Sequence, residues 1–305
     1  MKTTKTKRLF DKGELIFYIA LIAIPLLQVA IFYFVVNFNS VLMAFKQYNK
    51  YDDTSIWNNG ANFVRLWKEF AGSKTILTLL GNSIIVWLFT SVLGTFLSVL
   101  FSYYIFKKWL LHKTFKFILF LPTVLPSILL VLLYQFFVNE AIPQVMELIT
   151  GNKADSLFNL PETMMPTVIF YNVWVCFGAQ ILIYSGAMDQ ISPDILEAGQ
   201  VDGVTPVREF FSLVIPMILP TVATFFIASV ATIFTNQANL YAFFGEIVLE
   251  KYQTIGYYLF CLVNKEGAGM SDYGYASAFG IVCTLIAFPL TMIAKRLLNG
   301  KGEEQ

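Results

Sequence analysis

The stretch EAGQVDGVTPVREFF, residues 197–211, carries three acidic side chains and a single basic one within a strongly apolar chain. Glu197, Asp202 and Glu209 are the acids, and Arg208 is the base. Two glycines and one proline divide the stretch into what reads as a short helix, a turn and a second helix. The residues around it indicate why the chain keeps such a segment.

The composition of the chain indicates that most of it lies in a membrane. The chain has 305 residues, of which 57% are hydrophobic and 13% are charged, whereas soluble domains carry about 25% charged residues. A spanning helix needs roughly 20 mostly apolar residues. Six stretches meet this requirement: about residues 15–36, 83–106, 117–138, 164–186, 214–235 and 274–294. The shorter apolar run 255–263 is expected to be an interfacial or re-entrant piece on the outer side.

Several functional classes find no support in the sequence. The net charge of +1 gives no basic footprint for nucleic acid. Three cysteines without paired spacing and one histidine argue against a disulfide scaffold and a metal site. No phosphate-binding loop of the Gly-x4-Gly-Lys-Ser/Thr type occurs. If ATP is used, the ATPase is therefore a separate polypeptide, and no enzyme activity is expected here.

The distribution of Lys and Arg predicts the orientation of the chain. Thirteen lie in the N-terminal tail, the second loop, the fourth loop and the C-terminal tail. Eight lie in the other three loops, which are much longer. Both termini, including the tail 1–14, are therefore expected to be cytoplasmic. The 197–211 stretch then lies on the cytoplasmic face, where its acidity departs from the usual preference for basic residues.

Local chemistry predicts the shape of this loop. Ser192, followed by Pro193 and Asp194, is typical of a helix N-cap, a first-turn proline and an acid near the positive helix end. Gly203 is placed to end that helix in a left-handed conformation. Pro206 then begins a second helix, which is expected to continue into the fifth span.

The loop resembles the cytoplasmic loop of permease subunits in binding-protein-dependent ABC importers. The family pattern is Glu-Ala-Ala, three residues, Gly, nine residues, Ile, one residue and Leu-Pro. Here the matching positions read Glu197-Ala198-Gly199, Gly203, Leu213 and Ile215-Pro216. The second Ala is Gly, Ile is Leu and Leu is Ile, and the spacing is intact.

The resemblance implies an all-α membrane protein with six transmembrane helices, similar to type I ABC importer permeases. It implies one permease domain, 1–305, with a core of about 75–298 and a coupling loop at 187–213. The residues implied to couple the permease to the ATPase are Glu197, Ala198, Gly199, Asp202, Gly203 and Pro216. The implied partners are a second permease subunit, expected in a heterodimer, two ATPase subunits, and an extracellular solute-binding protein. The chain itself needs no cofactor, because ATP and Mg²⁺ bind to the ATPase.

Further segments resemble the carbohydrate branch of this family. The resemblance implies a multi-pass protein of the bacterial cell membrane. The segments are NFVRLW and GNSIIVWLF within residues 62–89, the Leu-Pro helix start at 119–139, TNQANLYAFFG at 235–245 and QTIGYYLF at 253–260. The resemblance implies import of an oligosaccharide or polysaccharide fragment, with coupling through the loop at 192–216.

Amide and aromatic side chains are the candidates for lining the pathway, since amides bind hydroxyls and rings stack on sugar faces. The candidates are Tyr134, Gln135, Tyr171, Asn172, Trp174, Asn236, Gln237, Asn239 and Tyr241. Asn172 is favoured by its depth and Gln237 by the resemblance. Tyr and Trp also form interfacial belts, and polar side chains join helices to one another, so a structural role is the alternative for each.

Two other functions are open. The six stretches contain no Asp, Glu, Lys, Arg or His, which argues against proton coupling and against a charged substrate held at the midplane. A secondary carrier coupled to an ion through backbone carbonyls would leave no such charge, although the sequence has no visible internal repeat. A membrane-embedded enzyme lacks any nucleophile–base or metal constellation.

Overall fold

The computed structural model describes residues 12–49, 54–265 and 269–299. Helices dominate these residues, as the apolar stretches predict. The elements are α1 Lys12–Gln28, α2 Val36–Met43, β1 Lys46–Asn49, β2 Thr54–Trp57, α3 Ala61–Gly72, α4 Thr75–Trp87, α5 Gly94–Phe106, α6 His112–Val124, α7 Ser127–Phe136, α8 Ile142–Thr150, α9 Met164–Met188, α10 Pro193–Val201, α11 Pro206–Glu209, α12 Ile215–Ala231, α13 Leu240–Phe244, α14 Ile255–Asn264 and α15 Met270–Asn299.

Six helical segments of the described residues are long and apolar enough to cross a membrane. This confirms the predicted number of spans. In chain order, spans one to six are Ile16–Met43, Thr75–Phe106, Ser127–Thr150, Met164–Met188, Pro206–Ala231 and Ser271–Leu298. The run at 255–263 forms the separate helix α14, which is too short to span.

The predicted third span, 117–138, is wrong as a continuous helix. α6 ends at Val124, and Leu125 adopts an extended backbone with φ −83° and ψ 144°. The reason is Pro126, which disfavours a helical conformation for the residue before it and has no N–H to donate. Span three begins after this break at Ser127, and it includes the exposed Glu140 and Glu147.

Four spans contain a π-helical stretch that joins two α-helical parts. These stretches are Val29–Val35, Leu88–Leu93, Phe137–Ala141 and Phe210–Val214. A π turn inserts extra backbone into a helix and occurs often at functional sites. The stretch Phe210–Val214 joins α11 to α12 at the place where the acidic loop enters span five.

The described residues fall into two compact units. The first is built from the described parts of Met1–Trp67 and Gly267–Ile281. The sequence did not predict its small antiparallel hairpin, in which Lys46 pairs with Trp57. Asn62 of α3 donates hydrogen bonds to the carbonyl oxygens of Ala44 and Lys46, at 2.9 and 3.1 Å. These bonds fix α3 to the end of α2 and the start of the hairpin.

The second unit comprises the described parts of Lys68–Glu266 and Val282–Gln305. α9 lies at its centre and packs against α5, α6 and α12. Gly178 permits the contact with α6, because a Cβ at this position would lie 2.1 Å from the Thr123 Cγ2 atom. A buried apolar cluster surrounds the N-terminal half of α9 and includes Val168, Tyr171, Leu240 and Phe243.

Candidate functional site

The loop at residues 187–213 has the predicted helix–corner–helix shape. α10 begins at Pro193, after Ser192 in an extended conformation with φ −58° and ψ 130°. The expected side-chain cap from Ser192 is absent, so the proline and the acid at Asp194 define this helix start. α11 begins at Pro206 after an extended Thr205, as predicted.

Gly203 forms the corner between the two helices. It has φ +73°, which confirms the predicted left-handed conformation. The Val204 N–H donates to the Gly199 carbonyl, and the Gly203 N–H donates to the Gln200 carbonyl, at 2.9 and 3.1 Å. This pair of bonds is a Schellman motif, which satisfies the last carbonyls of α10.

Two positions that depart from the family pattern lie against each other, namely Gly199 and Leu213. Gly199 is the one buried residue of α10, and a Cβ there would lie 2.9 Å from the Leu213 Cδ1 atom. The longer reach of leucine therefore fills the space that the missing Cβ leaves. The two departures are complementary, and they fix α10 against the start of span five.

The solvent-exposed surface of the loop combines acidic with apolar side chains. Glu197, Ala198 and Asp202 are exposed, and so is Pro216 in the first turn of α12. Val201 is 88% exposed and Val207 is 69% exposed. A surface of this composition, rimmed by charge, is suited to contact with another protein.

Glu209, the third acid of the stretch, does not belong to that surface. It is 4% exposed, and its carboxylate oxygens accept hydrogen bonds from Lys107 Nζ at 2.9 and 3.1 Å. The Tyr103 hydroxyl donates to Glu209 Oε1 at 3.1 Å and to the Pro206 carbonyl oxygen at 3.0 Å. Of the three acids in the stretch, Glu197 and Asp202 are therefore exposed, whereas Glu209 is buried.

The segment 232–254, between α12 and α14, departs from regular helix. Ala238 and Asn239 have φ +53° and +56°, a conformation that costs a residue with a Cβ roughly 1–2 kcal/mol. Asn172 Nδ2 donates to the Ala238 carbonyl oxygen at 2.9 Å, and Asn239 Nδ2 donates to Asn172 Oδ1 at 2.7 Å. The Asn172 amide thus holds the segment in this conformation.

Side chains of other spans hold the rest of the segment. Gln135 Nε2 donates to the Phe243 carbonyl oxygen. Asn82 Nδ2 donates to the carbonyl oxygens of Lys251 and Gln253, each at 2.9 Å. Non-helical backbone at membrane depth is tolerated only where protein or water satisfies its polar groups. Amides from spans two, three and four thus donate to four backbone carbonyl oxygens of this segment.

Three of the aromatic candidates, Tyr134, Tyr171 and Trp174, form one group between spans three and four. The ring of Tyr134 lies 5.0 Å from that of Tyr171 and 6.5 Å from that of Trp174. The Tyr134 hydroxyl donates to the Thr167 carbonyl oxygen at 3.0 Å. Tyr134 and Trp174 also line an apolar groove of about 470 Å³ at the break between α6 and α7.

The remaining candidates belong to the 232–254 segment. Asn236 Oδ1 accepts a hydrogen bond from the Ala238 N–H at 2.8 Å. Tyr241 is half-buried, with its ring 4.8 Å from that of Phe260. Gln237 is half-buried, and within the described residues its side chain makes no hydrogen bond.

The family of binding-protein-dependent transport system inner membrane components matches residues 94–300, which is more than half of the chain. The chain belongs to this family. The permease is accordingly a multi-pass membrane component rather than an ATPase.

Curated relatives match the permease at low identity. The maltose/maltodextrin transport system permease protein MalF of Vibrio parahaemolyticus is 24% identical over 254 residues, which cover 77% of this chain and 47% of that protein. The permease thus spans about half the length of the MalF proteins it matches. The probable ABC transporter permease protein YurN of Bacillus subtilis is 22% identical over 305 residues, covering 96% of this chain and 99% of that protein.

A solved structure shares the fold. A chain in the crystal structure of a bacterial ABC transporter involved in the import of the acidic polysaccharide alginate superposes with a TM-score of 0.77 at 19% identity. The match covers 96% of the permease and 99% of that chain.

Sequence reasoning missed several residues that shape the permease. Asn82 and Lys107 contact residues more than 100 positions away in sequence, and Tyr257 contacts the nearer Gly245. The Tyr257 hydroxyl donates to the Gly245 carbonyl oxygen, and burial raises the pKa of this phenol above its usual range. The signal for Asn82 was available, because an amide near the end of an apolar span needs a partner. In the described part of the chain, no cluster of metal-ligating side chains occurs.

Proposed function

We propose that the permease forms the translocation pathway of an ATP-driven importer for an oligosaccharide or polysaccharide fragment. It couples to a separate ATPase through the loop at 192–216. The observation that carries this proposal is the rigid corner at Gly203. It connects an exposed helix with an acidic and apolar surface directly to span five.

The loop geometry supports the coupling role. The Schellman motif and the contact between Gly199 and Leu213 fix the orientation of α10 relative to the start of span five. A movement of α10, driven by contacts at Glu197 or Asp202, then moves the start of span five as well, because no flexible linker separates the two. We therefore propose that the exposed Glu197, Ala198, Asp202 and Pro216 contact the ATPase. Gly199 and Gly203 contribute to coupling by fixing the position and direction of α10.

The family supports the remaining partners. Its members are components of binding-protein-dependent systems. We therefore propose a second permease subunit in a heterodimer, two ATPase subunits that bind ATP and Mg²⁺, and an extracellular solute-binding protein. Both termini of the permease are cytoplasmic in this proposal. An ion-coupled carrier has no support from the family.

The relatives and the side chains support a carbohydrate substrate. Two proteins similar to the permease are named for maltodextrin and alginate. Maltodextrin is neutral and alginate is acidic. The candidate pathway residues are amides and aromatics without a charge, which favours a neutral, hydroxyl-rich ligand.

The pathway candidates differ in whether their polar side-chain groups are already hydrogen-bonded within the permease. Gln135, Asn172 and Asn239 use their amides to hold the 232–254 segment. Gln237 and Tyr241 make no side-chain hydrogen bond among the described residues, and both are half-buried. We therefore propose Gln237 and Tyr241 as substrate contacts and Asn172 as the support that positions them.

Two amide variants test this division in the reconstituted complex with all partners. Gln237→Ala should reduce the transport rate about 2- to 10-fold, which corresponds to a net hydrogen bond of about 0.5–1.5 kcal/mol. Its thermal stability and subunit composition should equal those of the wild type. Transport of the labelled sugar into liposomes and thermal unfolding are the measurements.

Asn172→Ala is the matched amide comparison. It leaves the Ala238 carbonyl and the Asn239 amide without their partner, which should lower stability by about 1–3 kcal/mol. Wild-type transport by Gln237→Ala would contradict its place in the pathway. Wild-type stability of Asn172→Ala would contradict its role as the support.

A further inference from the structure

A buried cluster of three side chains, which includes an ion pair, joins span two to the start of span five. Glu209 in α11 accepts hydrogen bonds on both oxygens from Lys107, the residue after α5. Tyr103, one turn earlier in α5, donates to the same carboxylate and to the carbonyl oxygen of Pro206. The Glu209 side chain is 5% exposed and the Lys107 side chain is 20% exposed.

We propose that Tyr103, Lys107 and Glu209, here named the clasp, hold the start of span five against the end of span two, so that movement of the 187–213 loop displaces both spans together. The three are positioning residues for coupling. This inference rests on the proposed function, because it assigns a route for the movement that the loop receives.

The connectivity of the chain explains why a clasp is needed. α10 is joined covalently to span five through Gly203 and Pro206. Its covalent route to span two is far longer, since Tyr103 and Pro206 are 103 residues apart. The clasp closes this gap with direct bonds between span two and the start of span five.

The chemistry of the clasp suits positioning better than stabilisation. A buried ion pair often gives no more stability than apolar residues of the same size, because both charges lose their hydration. Three directional bonds on one carboxylate, in contrast, fix the place of α11 on α5. Each charge also lies at the favourable helix end, with Lys107 after the last turn of α5 and Glu209 in the first turn of α11.

An apolar seam continues the contact into the membrane. The ring of Tyr103 lies 4.9 Å from that of Phe210. Val99, Tyr103, Phe210 and Val214 belong to one buried cluster. Apolar surfaces can slide over each other, whereas the bonds of Glu209 break if α11 shifts along α5. The clasp therefore sets the register of this seam.

Variants of the clasp test the proposal in the complete reconstituted complex. Lys107→Met and Glu209→Gln remove one charge each with little change in size, and Tyr103→Phe removes only the hydroxyl. The double variant Lys107→Glu/Glu209→Lys reverses the pair. Lys108→Met is the matched control, because Lys108 is the exposed neighbour of Lys107. The readout is the ratio of sugar transported to ATP hydrolysed.

Lys107→Met and Glu209→Gln should each reduce this ratio by roughly 2- to 25-fold, the range for residues that carry coupling between distant sites. Tyr103→Phe should reduce it less, and the reversed pair should recover at least part of the loss. Lys108→Met should keep the wild-type ratio. A stable complex that hydrolyses ATP with less transport is the signature of lost positioning.

Wild-type ratios for Lys107→Met and Glu209→Gln would overturn the clasp. A loss of assembly in both, with a wild-type ratio for Tyr103→Phe, would also overturn it and leave the ion pair a structural role. These results are distinct from failure of the proposed function. In that case the wild-type complex itself would show no ATP-dependent transport.

Discussion

Two glycines of the permease differ in the atoms that a side chain would meet. At Gly199 a Cβ would lie 2.9 Å from the Cδ1 atom of Leu213, the end of a flexible side chain. At Gly256 a Cβ would lie 2.5 Å from the carbonyl oxygen of Thr235, an atom of the backbone. A side-chain methyl can rotate away, whereas the backbone of the 232–254 segment is held by hydrogen bonds. The two sites should therefore respond differently to the same change.

Gly199→Ala should be nearly neutral for stability. The gain in helix propensity of about 0.5–1 kcal/mol offsets the displacement of Leu213. Gly256→Ala should lower stability by about 1–3 kcal/mol, the usual cost of overpacking. Thermal unfolding of the two purified variants is the measurement. Equal losses would contradict the distinction between side-chain and backbone neighbours.

The 187–213 loop acts as an element because its parts are held in one arrangement. Gly203 gives it the corner, the Schellman motif closes α10, and Leu213 packs on Gly199. The π-helical stretch Phe210–Val214 follows α11 directly. The loop thus has a defined conformation along its length. A change at the corner should therefore alter the direction of α10 rather than unfold this helix.

Gly203→Val and Glu197→Lys should both reduce transport and substrate-stimulated ATP hydrolysis together, or release the ATPase. The first variant places a β-branched residue at φ +73°, where even a simple side chain costs roughly 1–2 kcal/mol. The second reverses a charge expected to face the ATPase, and like charges across an interface cost several kcal/mol. Both rates are measured in liposomes with all partners.

Gln200→Lys is a control on the same helix, because Gln200 is exposed and neutral. The solute-binding protein should bind its sugar normally in every case, since these residues lie in the permease. Wild-type coupling in both Gly203→Val and Glu197→Lys would make the loop an ordinary solvated connection.

On the scale of the whole molecule, the basic residues divide between the two sides of the membrane. The side predicted as cytoplasmic holds Lys107, Lys108, Lys113 and Lys116 in the short connection between spans two and three. The opposite side has a single Lys153 between spans three and four. This asymmetry predicts the orientation of the permease.

Single cysteines in a variant without the three native ones test the orientation. Asn152→Cys should react with a membrane-impermeant thiol reagent in intact cells, because the exposed Asn152 lies in the connection predicted to be outside. Asp194→Cys, also exposed, should react only after permeabilisation. The reverse pattern would place the termini outside and would remove the 187–213 loop from the cytoplasm.

The features that the sequence predicted are those that single residues determine. Gly203, Pro193 and Pro206 each restrict their own backbone, so the corner and both helix starts could be read locally. The burial of Glu209 could not, because its partner Lys107 lies 102 residues away. The break before span three was missed because the chain is equally apolar on both sides of Pro126.

The amides that hold the 232–254 segment also bear on how the permease is made. Asn82, Gln135 and Asn172 all precede this segment in the chain. Domains form from the N-terminus during synthesis, so spans two, three and four are already inserted when the segment leaves the ribosome. The donor side chains of these hydrogen bonds are therefore made before the carbonyl groups that accept from them. We expect the 232–254 segment to reach its irregular conformation on helices that are already in place.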